Sequence, residues 1–268
     1  MAAAGLIALV AIVVGAVLAV TLSHGGARAG RASAARVPAS TSGASLPAGR
    51  SAAATTADPP LGPAPTGPFS SVVAAATGAS VQLYPAAGGS PEGTLPNPNN
   101  MGTQLTFLVH QDEGSWLQVW VPTRPDGRTA WVQASQVRLY QDPYAVLVNL
   151  ARHTATVWNG AQVMLSTPAA VGKPSTPTPT GTYFLAELLR QPDPAGAYGP
   201  YAYGLSAYSE VLQHFGGGPG QIGLHGTNEP RSIGQASSHG CVRIPSSVVT
   251  ELAPVLPLGT PVYIGYWS

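Results

Sequence analysis

The sequence predicts a mostly β, turn-rich protein, and three observations lead to this expectation. Charged residues are scarce, because Asp, Glu, Lys and Arg make up 9% of the 268 residues, against about 25% in an average soluble protein. Glycine and proline, with 32 and 27 copies, mark many turns. Short runs of alternating or β-branched apolar residues recur along residues 69–268. The net charge of +1 argues against a general nucleic-acid-binding surface, so no nucleic-acid partner is expected.

The first segment, residues 1–22, is expected to be a transmembrane anchor or an uncleaved signal. Residues 5–22 carry no charged side chain, and their length reaches the lower limit for a helix that spans a bilayer. An Ala-x-Ala-like site at residues 27–29 leaves cleavage, and hence secretion, open. The arginines fall after the apolar run, so the positive-inside rule alone would place the following chain in the cytoplasm.

Residues 23–68 are expected to form a disordered linker. They consist mainly of Ala, Gly, Ser, Thr and Pro, with almost no large apolar side chains. Such a segment cannot bury enough surface to offset its conformational entropy. We therefore expect a mobile, partly extended tether.

Residues 69–140 are expected to form a small β domain. The alternating run at 115–121, the turn at 124–127 and the returning run at 129–132 predict a hairpin. The pattern GSWLQVWVPTRPDGRTAWV resembles bacterial SH3-like domains, which often position an enzyme on the cell wall. We expect Trp116, Trp120 and Trp131 to fill the core of a small barrel rather than to contact a ligand.

Residues 141–268 are expected to form a second, mostly β domain with one or two short helices. A buried strand is predicted at 145–150, and Asn159-Gly160 predicts a two-residue hairpin turn. Residues 178–184 form a turn that leads into a strand, and residues 257–264 read as a closing strand. A helix is predicted over 246–256, with Ser246 and Ser247 as candidate N-caps.

The candidate chemistry is concentrated in the motifs LHGT and SHGCVR, which contain His225 and Cys241. The chain has one cysteine, which excludes an internal disulfide and a multi-thiolate metal site. A catalytic cysteine needs a base nearby, because the thiolate is its reactive form. We therefore predict Cys241 as nucleophile and His225 as general base. A zinc site formed by His225, His239 and Cys241 is a weaker alternative.

Neighbouring residues are expected to assist the cysteine. Gly240 allows a tight turn, and the N–H groups near Gly240 and Cys241 are predicted to face a developing oxyanion. Arg243 adds positive charge or a grip on a carboxylate. His239 is expected to orient the site or the substrate, or to cap the turn.

Three ordered motifs, TPTGTY (178–183), LHGT (224–227) and SHGCVR (238–243), together resemble the L,D-transpeptidase (YkuD-like) family over residues 144–266. The resemblance implies a β-sandwich-like catalytic fold, and no cofactor or metal is expected. It implies peptidoglycan stem peptides as partners, in the form of a tetrapeptide donor and an acceptor amine. It also implies 3→3 cross-links made through a cysteine thioester, with release of D-Ala, and inhibition by carbapenem-type β-lactams.

By position within these motifs, the resemblance implies that Cys241 is the nucleophile and His225 the acid and base. Ser238, His239 and Gly240 are then the residues that shape the turn. Gly226 stands where some members have serine, so a backbone carbonyl is expected to orient His225.

The substrate contacts are expected around a mobile wall formed by the Tyr- and Gly-rich segment 198–208. The predicted substrate-binding residues are Arg243, Gly226, Thr227, Tyr201 and Tyr203. Arg243 stands where some members of the family have asparagine, and it is expected to hold a stem-peptide carboxylate.

Two alternatives to cross-linking remain at this point: a cell-wall cysteine peptidase or carboxypeptidase that uses the same Cys-His site, and a non-catalytic wall-binding protein. Because its substrates lie outside the membrane, the catalytic domain is expected to be extracytoplasmic, on a single-pass anchor or secreted. This expectation overrides the charge rule for the anchor, which is only a tendency.

Overall fold

A computed structural model of the chain describes residues 63–268. The expected anchor at 1–22, and residues 23–62 of the expected linker, lie outside the described residues. No helix within residues 63–268 is long and apolar enough to cross a membrane. The described chain is mostly β, as the sequence predicts, and includes a single α-helix.

The N-terminal part of the described chain, from β1 to β7 (residues 71–142), contains seven strands and one short 3-10 helix, Ala134–Gln136. Five strands form an antiparallel sheet in the order β6-β5-β4-β1-β7, and β2 pairs with β3 in a separate hairpin. The strands are β1 (Ser71–Ala76), β2 (Ser80–Leu83), β3 (Gly93–Pro96), β4 (Thr106–Asp112), β5 (Trp116–Trp120), β6 (Thr129–Gln133) and β7 (Val137–Asp142). This arrangement contains the hairpin that the sequence predicts, because β5 and β6 are antiparallel neighbours.

The expectation that three tryptophans fill the core of this part is wrong. Strands β5 and β6 alternate between buried and half-buried positions, and the tryptophans occupy the half-buried ones. Successive residues of a strand point to opposite faces, so the intervening small apolar residues form the core instead. These residues include Leu117, Val119, Ala130 and Val132.

The C-terminal part is built on an eight-stranded mixed sheet with the order β10-β9-β8-β17-β12-β13-β14-β16. Its strands are β8 (Tyr144–Asn149), β9 (Thr154–Asn159), β10 (Gln162–Pro168), β11 (Val171–Gly172), β12 (Gly181–Arg190), β13 (Tyr201–Tyr208), β14 (Gln221–His225), β15 (Ala236–Ser238), β16 (Val242–Arg243) and β17 (Pro261–Gly265). Strands β11 and β15 pair separately in parallel. A 3-10 helix, Pro230–Ser232, and the helix α1 (Ser246–Leu252) complete it.

The core of the C-terminal part lies against one face of β12, β13 and β14. Tyr203, Leu205 and Leu224 are buried there, together with Val249 and Leu252 of α1. Burying large apolar side chains of this kind contributes about 1.5–3 kcal/mol each. The opposite face of the same strands is therefore free to carry polar residues and a cavity.

The two sheets belong to one compact unit and contact each other directly. Leu108 and Trp120 of the N-terminal part pack against Phe184 and Ala186 of β12. Ala64, within the expected linker, also packs against the C-terminal part. The domain boundaries given above remain predictions.

Candidate active site

Four neighbouring strands bring the candidate residues together on one face of the large sheet. Glu187 of β12 pairs with Gly204 of β13, and Gly204 pairs with Gly223 of β14. Cys241 directly precedes β16, whose first residue Val242 pairs with the residue after Gly223. Directly paired residues point to the same side of a sheet. The four residues therefore form a row with the thiol at one end and the carboxylate at the other.

The next row places the histidine beside the thiol. Ala202 pairs with His225, and His225 pairs with Arg243. A Cβ placed on Gly223 would lie 3.3 Å from the His225 ring and 3.8 Å from Cys241 Sγ. Because glycine has no side chain, the space between the imidazole and the thiol is open.

The Cys241 thiol is held by its surroundings in the neutral form. Burial raises the pKa of Cys241, while the N–H of Gly223 and the charge of Arg243 oppose this increase. The Gly223 N–H donates to Sγ at 3.3 Å. The thiol therefore needs a base to remove its proton during a reaction.

His225 is buried, with 3% of its surface exposed. Burial lowers the pKa of His225 to about 4, although its contact with the Gly226 carbonyl opposes the shift. Nδ1 lies 2.5 Å from the Gly226 carbonyl oxygen, so the backbone carbonyl expected from the sequence does orient the ring. With Nδ1 as the donor in this contact, Nε2 is left to accept a proton. The ring of Tyr198, the first residue of the predicted mobile wall, lies 4.8 Å from the imidazole, measured between ring centroids.

The turn before Cys241 is braced by buried hydroxyl groups. Ser238 Oγ donates to the Cys241 carbonyl at 2.6 Å and accepts the Gly240 N–H at 3.1 Å. Thr178 Oγ1, from the TPTGTY motif, donates to the Gly240 carbonyl at 2.8 Å. Gly240 has a φ of +119°, which other residues rarely adopt. Ser238 and Gly240 therefore shape the turn as the resemblance implies.

The predicted oxyanion donors need one correction. The Gly240 N–H already donates to Ser238 Oγ, so it does not face the substrate as expected. The Cys241 N–H has no protein acceptor among residues 63–268. His239 is exposed and stacks on Phe215, with 5.3 Å between the ring centroids. Of the two predicted N–H groups, only that of Cys241 remains available.

Arg243 is engaged within the protein. Its Nη1 donates to Glu229 Oε2 at 2.7 Å, a partner that the sequence argument missed. Glu229 is itself positioned by Thr227, whose Oγ1 accepts the Glu229 N–H at 3.0 Å. A substrate carboxylate would therefore have to compete with Glu229 for Arg243. The main chain of Gly226 packs closely, because an added Cβ would lie 2.8 Å from Ser246 Oγ.

The placement of Tyr201 and Tyr203 does not support the substrate contacts expected of them. Both lie in β13, where they alternate with Ala202 and Gly204 and so point to the opposite face. Tyr203 is fully buried, and its hydroxyl donates to the Leu252 carbonyl at 2.9 Å. The segment expected to be a mobile wall is therefore largely a central strand of the sheet.

A cavity of about 270 Å³ lies over the two rows. Cys241, His225 and Tyr198 line one end of it, and Glu187, Gln191 and Gln221 contribute polar atoms. Met101 of the N-terminal part and Phe215 also line the cavity. Within the described part of the chain, no group of three or more His, Cys, Asp or Glu side chains could hold a metal ion.

The site lies within a stretch that matches a known family. A family model described as the L,D-transpeptidase catalytic domain, YkuD, matches residues 143–264. The Bacillus subtilis (strain 168) protein named as the L,D-transpeptidase YkuD is 41% identical over 125 residues, which cover 47% of this chain and 68% of that protein. The Bacillus licheniformis protein of the same name is 39% identical over 122 residues, covering 46% of this chain and 66% of that protein.

Solved structures are also similar, with low TM-scores. The Bdellovibrio bacteriovorus protein Bd1075 is 30% identical, with a TM-score of 0.38, and the match covers 47% of this chain and 49% of that one. An L,D-transpeptidase from Mycobacterium smegmatis is 16% identical, with a TM-score of 0.37, and the match covers 58% and 79% of the two chains. The matched part of this chain thus spans about half of the Bdellovibrio protein.

Proposed function

Because the chain belongs to the YkuD family of L,D-transpeptidases, we propose that it cross-links peptidoglycan stem peptides, with Cys241 as the nucleophile. The observation that carries this proposal is the position of the chain's one cysteine beside a buried, neutral histidine at the end of a cavity. A cysteine beside a neutral imidazole can form a thioester, because the imidazole can take the proton of the attacking thiol.

In the first half of the reaction, a tetrapeptide donor acylates the enzyme. His225 Nε2 takes the proton of the Cys241 thiol as Sγ attacks the carbonyl carbon of the third residue. The developing oxyanion is stabilised by the Cys241 N–H. Protonated His225 then gives its proton to the amine of D-Ala, the bond to D-Ala breaks, and a thioester remains on Sγ.

In the second half, the side-chain amine of another stem peptide attacks the thioester carbonyl. His225 takes a proton from the attacking amine and returns it to the departing thiol. The new amide joins the third residues of two stem peptides, which is a 3→3 cross-link. Water in place of the amine would give a carboxypeptidase by the same route.

The same proposal covers inhibitors and location. A carbapenem-type β-lactam would acylate Cys241 in place of the donor. The substrates lie outside the membrane, so we propose an extracytoplasmic catalytic domain, held by residues 1–22 as an anchor or released by cleavage. We also propose that the N-terminal β part is an SH3-like module that contacts the cell wall.

The nucleophile is tested by treating the full chain and its Cys241→Ala variant with a carbapenem and measuring intact mass. We expect one adduct on the wild-type protein and none on the variant. Ser237→Ala, a partly exposed neighbour in the same segment, is the matched control and should acylate like the wild type. An adduct that persists on Cys241→Ala would exclude Cys241 as the nucleophile.

The reaction type is tested by incubating the enzyme with a tetrapeptide, alone and with an acceptor amine, and analysing the products by mass spectrometry. A cross-linked product with release of D-Ala is expected when the acceptor is present. Release of D-Ala without a cross-linked product would show a carboxypeptidase instead.

A further inference from the structure

One ionisable group of the cavity has no part in the chemistry above. Glu187 is 9% exposed and lines the same cavity as Cys241 and His225. It lies at the other end of the row that contains Gly204 and Gly223. A buried carboxylate at this position requires a physical explanation, because burial disfavours its charged form.

A β-bulge in β12 turns Glu187 toward the cavity. Leu185 pairs with Leu205 and Glu187 pairs with Gly204, so Ala186 is an extra residue between two consecutive pairs. Leu185 and Leu205 both lie in the core on the opposite face. If Ala186 were paired regularly with Gly204 instead, Glu187 would be opposite Tyr203 and would point into that core. Bulges that redirect a side chain in this way often lie next to active sites.

The carboxylate is held in place by neutral partners. Asn99 Nδ2, from the N-terminal part, donates to Glu187 Oε1 at 3.1 Å. The amide of Gln221 lies beside the carboxylate and partly offsets the increase in the pKa of Glu187 that burial causes. Within residues 63–268, the ion pairs are Arg128–Glu92 and Arg243–Glu229, so Glu187 has no cationic partner there.

The cavity itself supplies no such partner. None of the residues that line it in the described structure is lysine or arginine, and His225 is held neutral by burial. The negative charge of Glu187 is thus ordered by its neighbours but not neutralised by them. A cation entering the cavity would complete the site.

The distance from the Cys241 thiol to the Glu187 carboxylate, across Gly223 and Gly204, limits the size of a ligand that carries this cation. Glu187 Oε2 lies 2.7 Å from the position of a Cβ on Gly204, and Cys241 Sγ lies 3.8 Å from that of a Cβ on Gly223. Opposite Cβ positions in such a pair are about 5 Å apart, which limits the Sγ–Oε2 distance to about 12 Å. A diamino-acid side chain spans roughly 7 Å from carbonyl carbon to terminal nitrogen. With the C–S bond at one end and an N–H···O contact of about 2.8 Å at the other, this side chain can bridge the distance from Sγ to Oε2.

On the basis of the proposed function, we propose that Glu187 binds the terminal ammonium group of the diamino acid at the third position of the donor peptide. The donor carbonyl then lies at Sγ while its side chain crosses Gly223 and meets the Glu187 carboxylate above Gly204. Neither glycine has a side chain to block that path. Glu187 is thus a specificity-determining residue, and a donor with a neutral side chain would leave its charge unpaired.

The proposal is tested by equilibrium binding to the Cys241→Ala protein, which cannot turn the peptide over. The probes are a tetrapeptide with lysine at position three and the same peptide with that lysine Nε-acetylated. We expect about tenfold weaker binding of the acetylated peptide. In the Cys241→Ala, Glu187→Gln protein we expect this preference to disappear.

The matched control is Glu251→Gln, an exposed glutamate of α1, which should keep the preference for the free amine. The melting temperature of the Glu187→Gln variant shows whether it folds. If it folds poorly, Glu187→Asp is the second variant. Equal binding of the two peptides, or a preference that persists without the Glu187 carboxylate, would overturn the proposal.

Turnover separates this inference from the proposed function. Release of D-Ala from both peptides at equal kcat/KM would overturn the role of Glu187 and leave the transpeptidase proposal standing. Absence of any acyl-enzyme would count against the transpeptidase proposal, while a binding preference that depends on Glu187 would still support the ammonium site.

Discussion

At the level of single residues, burial determines the protonation states of Cys241 and His225 in the free enzyme, and thereby the pH range in which they can react. The pKa of the Cys241 thiol is raised and that of His225 is lowered to about 4, so the free enzyme holds a neutral thiol beside a neutral imidazole. A preformed thiolate–imidazolium pair would need the opposite shifts. The proton therefore moves as the substrate is attacked.

This resting state predicts an acid limit for acylation. His225 acts as a base only while unprotonated, so activity is present above its folded pKa and is lost as the pH falls through about 4. We expect the second-order rate constant for acylation by a carbapenem, measured against pH, to show that midpoint. His225→Ala should abolish the acylation, and His110→Ala in the N-terminal part should leave the profile unchanged. A midpoint near 6.5, the ordinary histidine value, would contradict the argument.

The residues of the site also show how far the sequence could be interpreted. Cys241, His225 and the carbonyl of Gly226 are identified correctly as neighbours, since local motifs carry them. Tyr201 and Tyr203, predicted as substrate contacts, alternate with the residues of β13 that face the cavity, and only the pairing register determines which residues those are. Glu187 is missed for the same reason.

At the level of elements, the segment 209–220 is fixed by an arginine of the N-terminal part. Arg124 Nη2 lies within hydrogen-bond distance of three carbonyl oxygens in this segment, those of Ser209 at 2.9 Å, Leu212 at 3.4 Å and Pro219 at 3.0 Å. Its guanidinium also lies over the Tyr208 ring, 5.1 Å from the centroid. The same segment supplies Phe215 to the cavity. The β5–β6 hairpin thus holds one wall of the site.

We therefore expect Arg124→Ala to loosen this wall without unfolding the protein. Amide hydrogen exchange should increase within 209–220, KM for the donor should rise more than kcat falls, and the free energy of unfolding should drop by about 1–3 kcal/mol. Arg128 lies in the same hairpin, and Arg128→Ala, which removes its ion pair with Glu92, should leave exchange at 209–220 unchanged. Arg124→Lys should restore part of the protection, and unchanged exchange in Arg124→Ala would refute the coupling.

The positions of strands, turns and helices are predicted well where neighbouring residues in the sequence determine them. They are predicted less well where contacts with residues distant in the sequence determine them. Residues Asn159 and Gln162 close the predicted hairpin, with Gly160 at a φ of +57° as its first turn residue, one position later than expected. The helix begins at Ser246, but this serine does not cap it. Its hydroxyl bonds instead with Thr227, 19 residues earlier in the chain. No local signal reveals that contact.

At the level of the whole molecule, the buried carboxyl group of Asp142 joins the N-terminal and C-terminal parts. Asp142, at the end of β7, is 1% exposed and accepts hydrogen bonds from the Thr260 hydroxyl at 2.7 Å and the Tyr144 N–H at 2.9 Å. Burial raises the pKa of Asp142 despite these two bonds. The folded state thus binds this proton more tightly than the unfolded chain does.

The shift predicts a direction for stability against pH. A raised folded pKa means that the stabilisation from this group is largest below the ordinary value of 3.8 and falls as the pH rises through the folded pKa. The melting temperature of the wild type, relative to Asp142→Asn, should therefore fall as the pH rises through that range. The exposed Asp112, replaced by asparagine, is the control that should not change this slope. A relative melting temperature that rises with pH would contradict the assignment.

The extra residue in β12 also determines how the chain tolerates a change in length. Deletion of Ala186 would remove the bulge and make the pairing regular, because Leu185 would still pair with Leu205 and Glu187 with Gly204. Leu188 would still pack against the core, and the Glu187 carboxylate would still face the cavity. The loss of one alanine would thus straighten the strand and keep the acidic wall of the cavity.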